Sequence, residues 1–466
     1  MKLSRISCQV FRTNLVSKLF QPLTLAPANS EKVVGPRDDS QLSKNQKLML
    51  DLGIIRQCQN GFFHVLPLGL RAMNKLKNLV DSHMRNLGAQ EISIPHIVDS
   101  ALWKKSGRWA NLGQEVFKLT DRHDRELILN PTHEESAADL MASVPQLSHN
   151  QLPIFLYQYS TKFRDEMRPR CGLIRSREFL MKDLYAFDES LDLAKQTYDR
   201  VSAAYLKIFN ELQLEAIRIE ADGGEIGGLA SHEFHVACDV GEDTLLVCKT
   251  CSHVNVNPIS SACELCNGTG HRKVTTLEVG HTFLLGDRYS TPLSAVFADS
   301  NNVQQPLSMS SYGLGLSRIL AASVECLSTD LCISWPTAIA PYKIVIIPAK
   351  DGSNEYSAAS RITGELYAAL NDVAHLRDDV IIDDRCRLTI GKRVVHAQRT
   401  GYPYALVVGR KCVQEPPEIE IIEHAPNAAP FTHSLPIPEL VDYFTRLAPA
   451  RGASNEAAGA NVEAKC

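Results

Sequence analysis

Long apolar runs are missing from these 466 residues. None approaches the roughly 20 residues that span a bilayer, so no membrane partner is expected. A strong net charge is missing too. The formal −4 excludes a protein that coats nucleic acid indiscriminately, while leaving room for a local basic site. Internal repeats are absent. The 13 cysteines are too few for a disulfide scaffold in a chain this long, and an odd count with four in CxxC pairs fits a reducing compartment and a metal site. Acidic residues are absent before Glu31, where Lys2, Arg5, Arg12 and Lys18 alternate with spaced Leu, Ile, Val and Phe. That composition predicts a mitochondrial presequence or disordered tail over residues 1–30 and a location in the mitochondrial matrix. A secretory signal is disfavoured because Arg12 and Lys18 interrupt the apolar stretch.

What is present is ordinary globular patterning, 44% hydrophobic and 22% charged. A helix is expected after Pro67, with Leu70, Met73, Leu76, Val80, Met84 and Leu87 on one face. EISIPHIV (91–98) reads as a strand, and Pro95 confines it to an edge or an interface. VFKLTD and RELILN read as a hairpin, and PTHEESAADLMASV as a helix opened by a capping box from Thr132 to Glu135. A long helix covers ESLDLAKQTYDRVSAAYLKIFNEL, and SYGLGLSRILAASVE reads as a glycine-flanked turn into a helix. WPTAIAP marks a linker. Beyond it strands alternate with helices, which predicts a compact α/β domain over 340–447, with a disordered tail at 448–466.

The densest signal is FRDEMRPRCGLIRSREFLMKD, which gathers Arg164, Arg168, Arg170, Arg175 and Arg177 between two strand-like runs. Residues two apart share a strand face, so Arg164 pairs with Glu166, and Arg175 with Arg177 and Phe179. Guanidinium forks, a carboxylate and an aromatic ring on one surface suit a nucleoside triphosphate: forks for phosphates, the carboxylate for an exocyclic amine, the ring for a base. Arg168 and Arg170 in the loop suit the terminal phosphates. A salt-bridged surface ladder is the competing explanation.

This segment resembles motif 2 of the class II aminoacyl-tRNA synthetases, and specifically of the prolyl-tRNA synthetases. LGAQEISIPHIVDSALWKKSGRW resembles motif 1, NPTHEE the amino-acid-binding loop, and SYGLGLSRILAA motif 3. GFFHVLPLG, ASHEFHV and VGHTFLLGDRYS are similar as well. The resemblance implies an α+β fold: a class II antiparallel sheet flanked by helices (45–335), then an α/β anticodon-binding domain with a mixed sheet (340–447). It implies a ligase that activates L-proline with ATP and transfers it to tRNA(Pro), as a homodimer, with Mg²⁺ accompanying ATP. Arg164 and Arg318 would be catalytic. Glu166, Arg175 and Phe179 would join them on ATP. Thr132, Glu134, His281 and Ser311 would join Arg164 on proline. The presequence points to the mitochondrial members of the family. A non-catalytic RNA-binding or accessory subunit, or a class II synthetase for another amino acid, stays open. Retention of Arg164, Glu166, Phe179 and Arg318 counts against the first, and NPTHEE and VGHTF favour proline.

Cys248, Cys251, Cys263 and Cys266 form a CxxC–x11–CxxC array that can close a tetrahedral, structural Zn²⁺ site. The array lies in an insertion (240–275) where bacterial relatives carry an editing domain. Too few residues remain for such a domain, so no editing in cis is expected. In the last domain Arg385, Arg387, Lys392, Arg393 and Arg399 suggest a surface for single-stranded RNA.

Overall fold

The computed structural model of the chain describes residues 14–23, 42–111, 113–251, 253–255, 262–263, 265–426 and 428–447. It separates into two compact units, Phe20–Pro341 and Tyr342–Cys466, the second including the chain up to Leu19. The expected tails at 1–13, 24–30 and 448–466 lie outside the described residues.

In the larger unit a nine-stranded sheet is built from β1 (Gln90–Glu91), β2 (Ile154–Phe163), β3 (Glu178–Asp188), β4 (Ala216–Glu220), β5 (Ala230–Ala237), β6 (Asp243–Cys248), β7 (Val254–Asn255), β8 (His271–Gly286) and β9 (Ser308–Gly315). Its order is β7-β6-β8-β9-β3-β2-β1, and β5 joins β8 to β4. All pairings are antiparallel except that of β1 with β2. The helices that matter here are α1 (Pro67–Asn86), α2 (Glu134–Ala142), α3 (Leu191–Glu211) and α4 (Leu316–Leu327).

Period two decides what each face of the sheet meets. Tyr185, Phe187, Phe283 and Met309 pack against Ala137, Ala138 and Met141 of α2. Lys182, on the opposite face, is buried and donates to Tyr205 of α3 at 2.5 Å.

Three local expectations change in the folded chain. On α1 the buried stripe runs Leu68, Ala72, Leu76, Val80 and Met84 at i, i+4 spacing, so Leu70 is 50% exposed instead of buried. The strand expected over 91–98 is divided. β1 pairs with β2, while Ile97–Asp99 pairs with Glu126–Leu129 in a separate sheet. Pro95, which has no N–H to give a ladder, falls in the break. Motif 3 enters as β9, a full strand, rather than as a turn, because its residues pair with both β8 and β3.

The smaller unit is a mixed five-stranded sheet. β10 (Ile344–Pro348) lies parallel to β11 (Val380–Ile382) and to β12 (Tyr404–Val408), while β13 (Glu418–Glu423) and β14 (Phe431–Pro436) follow antiparallel. Helices α5 (Tyr356–Asp372), α6 (Ile390–Thr400) and α7 (Ile437–Arg446) complete it. Ile344, Ile346, Leu366, Leu406, Ile421 and Phe444 are among its core residues. Residues from the expected presequence are ordered here. Leu15 bridges Ile382 in parallel, Ile382 N–H donates to Asn14 at 2.9 Å, and Ser17 N–H donates to Asp384 at 2.9 Å. The exposed edge of β11 supplies the reason, since its unpaired N–H needs a partner.

Candidate active site

β3, β8 and β9 lie side by side, and the cavity-facing residues of β3 alternate as Phe179, Met181, Asp183 and Tyr185, with Ser311 and Gly313 beside them on β9. Together with the loop before α2 and the start of α4 they enclose a cavity of about 160 Å³. Nine of the side chains expected for nucleotide and amino acid line it: Thr132, Glu134, Arg164, Glu166, Arg175, Phe179, His281, Ser311 and Arg318. Gly313 and Gly315 line it too. A Cβ at Gly313 would meet nothing nearer than Met181 at 3.7 Å. These glycines leave the floor open.

The hairpin geometry carries the positive charge. Arg164 follows the last residue of β2 and donates its backbone N–H to Arg177 O at 3.0 Å. Its guanidinium lies 5.3 Å from the centre of the Phe179 ring. Burial, and then the charge of Arg318, pull its pKa below the usual arginine value. Two like cations set side by side on the cavity wall are poised to accept an anion. Arg175 Nε meets Glu166 at 2.8 Å. Burial alone would raise the pKa of Glu166, but its bond to Arg175 lowers it, so the carboxylate stays ionised. Arg177 departs from the expected face. It turns to Asp165 and stands over Phe117, because its strand has not yet begun and period two does not bind it. Arg168 and Arg170 line an adjoining cavity with Glu115, Glu166 and Arg175.

The loop before α2 does not form the expected capping box. His133 is the N-cap residue and makes no side-chain cap bond, and Thr132 Oγ1 donates to Glu134. Glu135 instead accepts from Arg108 Nη1, at 3.1 Å to each oxygen. A guanidinium offers two carboxylate oxygens more than a lone backbone N–H can.

Beneath the cavity lies a buried charged chain that sequence reading misses. His133 Nε2 meets the Pro95 carbonyl at 3.2 Å, and a carbonyl can only accept. The proton therefore sits on Nε2, leaving Nδ1 to accept from Lys162 at 2.5 Å. Lys162 also pairs with Asp183. Burial, with Lys162 nearby, drives the His133 pKa down to about 3, so the ring is neutral.

Glu278 was not foreseen either. It pairs with Arg318 at 3.2 Å and His281 at 3.3 Å. Burial pushes its pKa up, but the bond to His281 and the charge of Arg318 outweigh it and hold the acid at about 2. In a regular strand, residues 278 and 281 face opposite ways. Here the pairing of β5 with β8 slips between Phe234 and His235, so that Val279 is passed over. That bulge turns both side chains to one side. His281 further bonds Ser231 at 2.7 Å and stacks on Phe283 with ring centres 4.0 Å apart.

Away from the cavity, the four cysteines of the array converge. Their sulfurs all lie within 4.8 Å of one another, with Cys248–Cys266 at 3.6 Å and Cys251–Cys263 at 3.5 Å. Tetrahedral zinc with Zn–S near 2.3 Å spaces its sulfurs by about 3.8 Å, and a disulfide by about 2 Å. The donor set and spacing fit the metal. In the smaller unit two expected RNA contacts are internal. Arg393 is fully buried and donates to the carbonyls of Asp383 and Pro348 at 3.0 and 2.6 Å, and Arg385 forks onto Asp383 at 2.8 and 2.6 Å. Arg387 and Lys392 remain exposed.

Residues 117–326 match the family model of the class II tRNA synthetase core domain (G, H, P, S and T), and residues 343–447 that of the anticodon binding domain. Fold and cavity therefore define a class II aminoacyl-tRNA synthetase. The chain is 42% identical over 417 residues to the probable mitochondrial proline–tRNA ligase of Homo sapiens, covering 88% of this chain and 87% of the relative. It is 41% identical over 381 residues to that of Schizosaccharomyces pombe, covering 80% and 87%. Among solved structures, the Giardia lamblia prolyl-tRNA synthetase in complex with prolyl-adenylate shares the fold at a TM-score of 0.71 and 20% identity, over 85% of this chain and 74% of that one. The Cryptosporidium parvum enzyme complexed with L-proline and AMP does so at 0.68 and 18%, over 86% and 75%. This chain belongs to the proline–tRNA ligases.

Proposed function

We propose that the chain activates L-proline with ATP and esterifies it to tRNA(Pro) in mitochondrial translation. In the first step a proline carboxylate oxygen attacks the α-phosphorus of MgATP. The bond to the bridging oxygen breaks, and pyrophosphate leaves with the electron pair. Both reactants are anions, so neutralising and aligning them is the principal work. Arg164 lies between the two and offsets the charge that develops on the α-phosphate, seconded by Arg318. Glu166 accepts from the adenine amine, Arg175 orients Glu166, and Phe179 gives the base an apolar face. Thr132 and Glu134 accept from the secondary ammonium of proline. His281 and the buried hydroxyl of Ser311, which has no hydrogen-bond partner among the described residues, close the other side. One observation carries the reading: a single cavity is lined by groups suited to both an adenine nucleotide and a small zwitterion. The test is amino-acid-dependent ATP–pyrophosphate exchange against a panel of amino acids, with proline expected to dominate. Equal exchange with alanine, threonine or histidine, or none at all, overturns it.

The same reading includes three finer assignments. The cysteine array holds structural zinc, which when bound would cross-link the two knuckles; one zinc per chain by elemental analysis is expected. Editing in cis is absent. This rests on α3 and strands β4 to β7 occupying much of the chain from Asp188 to Thr276, and hydrolysis of alanyl-tRNA by the purified protein contradicts it. The protein acts as a homodimer, supported by the exposed apolar Ile97 and Leu140 beside the groove at Ile94–Val98; sedimentation at the monomer mass contradicts it.

A further inference from the structure

Glu242 lies outside the arginine hairpin, in the loop that joins β5 to β6. Its Oε1 accepts from Arg170 Nε and Nη2 at 2.9 and 2.7 Å, and its Oε2 accepts from Arg175 Nη1. Arg175 in turn reaches Glu166 at 2.8 Å. Four charges thus alternate: Arg170, Glu242, Arg175, Glu166. One carboxylate presenting two oxygens to two guanidinium forks makes the contacts that a phosphate group would make. The adjoining cavity of about 500 Å³ is lined by Glu115, Glu166, Met167, Arg168, Arg170 and Arg175, which leaves Glu242 bridging two of the cations at its edge.

We infer that Glu242 is a phosphate surrogate: it neutralises Arg170 and Arg175 while the site is empty, and is displaced when the β- and γ-phosphates of ATP arrive. This rests on the reading that these arginines grip the triphosphate. The energetics suit an exchange. Side chains of Arg170, Arg175 and Glu242 are 57%, 33% and 30% exposed, so their ion pairs are weak and readily given up. A polyphosphate carries more charge and more acceptor oxygens for the same forks. Without Glu242 the two cations would repel each other, a cost that bound polyphosphate would relieve. Glu242 offsets that repulsion in the empty site and sets the affinity for ATP by competing with it.

The substitution Glu242→Gln keeps the shape and removes the charge. Expected is a fall of about three- to fivefold in the KM for ATP in pyrophosphate exchange and in the Kd for ATP by calorimetry, the size of an exposed ion pair. The KM for proline and the Kd for AMP, which lacks the β- and γ-phosphates, stay unchanged. A KM for ATP that is unchanged or raised overturns the inference, and a rise would make Glu242 a mere support for Arg175. Arg170→Ala separates the two levels. If it weakens ATP while Glu242→Gln changes nothing, the surrogate role alone falls. If Arg170→Ala leaves ATP binding untouched, the phosphate reading of these arginines falls and the inference with it.

Discussion

Lys162 donates to Nδ1 of His133 at 2.5 Å, and neither side chain touches solvent. One residue ends the chain of contacts from β2, while the other sits between Thr132 and Glu134 in the loop proposed to read proline. A buried ammonium needs its partners, and Asp183 completes the set. Lys162→Met leaves that carboxylate buried without its ammonium, with Gln158 and Ser160 as donors only at 3.4 and 3.5 Å. A loss of about 3–5 kcal/mol in urea unfolding is expected. The double variant with Asp183→Asn should recover part of that stability, and a single variant as stable as the parent would show the pair to be dispensable.

The neutral state of His133 gives a pH signature. Its folded pKa, about 3, lies below the ordinary 6.5 of the unfolded chain. Its contribution to stability is therefore complete above pH 6.5 and is lost as pH falls toward 3, by about 1.4 kcal/mol per unit. Urea unfolding of the parent and of His133→Gln between pH 7 and 5 should show a difference that shrinks with acidification. A constant difference would mean that the ring does not titrate in this window.

Arg164→Ala should reduce proline-dependent pyrophosphate exchange by about 10²–10³-fold, the usual loss when one donor to a developing charge is removed. Circular dichroism should be unchanged, since the cation is held against repulsion from Arg318 rather than by an ion pair that folding needs. Arg164→Lys should not restore activity, because a point charge cannot span two oxygens as a fork does.

Chelation, or paired Cys248→Ser and Cys263→Ser substitutions, should abolish zinc content and lower the melting temperature. Proline KM should change little, because no cysteine of the array lines the cavity. Full stability without metal would assign the four sulfurs to packing alone.

Arginines of the smaller unit should divide by burial. Arg387→Ala and Lys392→Ala are expected to raise the KM for tRNA while leaving pyrophosphate exchange intact, since both side chains are exposed. Arg393→Met should instead destabilise the unit, because it strips the Pro348 carbonyl of the bond that this guanidinium makes.

Much of the site was legible because its signals are local. Period two assigned Phe179 a face, the CxxC spacing announced the knuckles, and the order of motifs announced the class. The failures were local rules overruled by distant partners. Thr132 and Glu135 have capping-box spacing, yet Arg108 claims the carboxylate. Arg393 looks like a solvated cation and is sealed among carbonyls.

By itself the sequence determined the class of fold, the arginine-rich hairpin, the Thr132–Glu134 loop as a candidate and the cysteine array, since each depends on residue types at short, fixed spacing. Only the tertiary structure decided that a bulge at Val279 brings Glu278 beside His281, that Glu242 crosses to Arg170 and Arg175, and that Lys162 lies dry beneath the cavity. Those outcomes depend on register, desolvation and partners from remote segments, and such quantities exist only once the chain has packed.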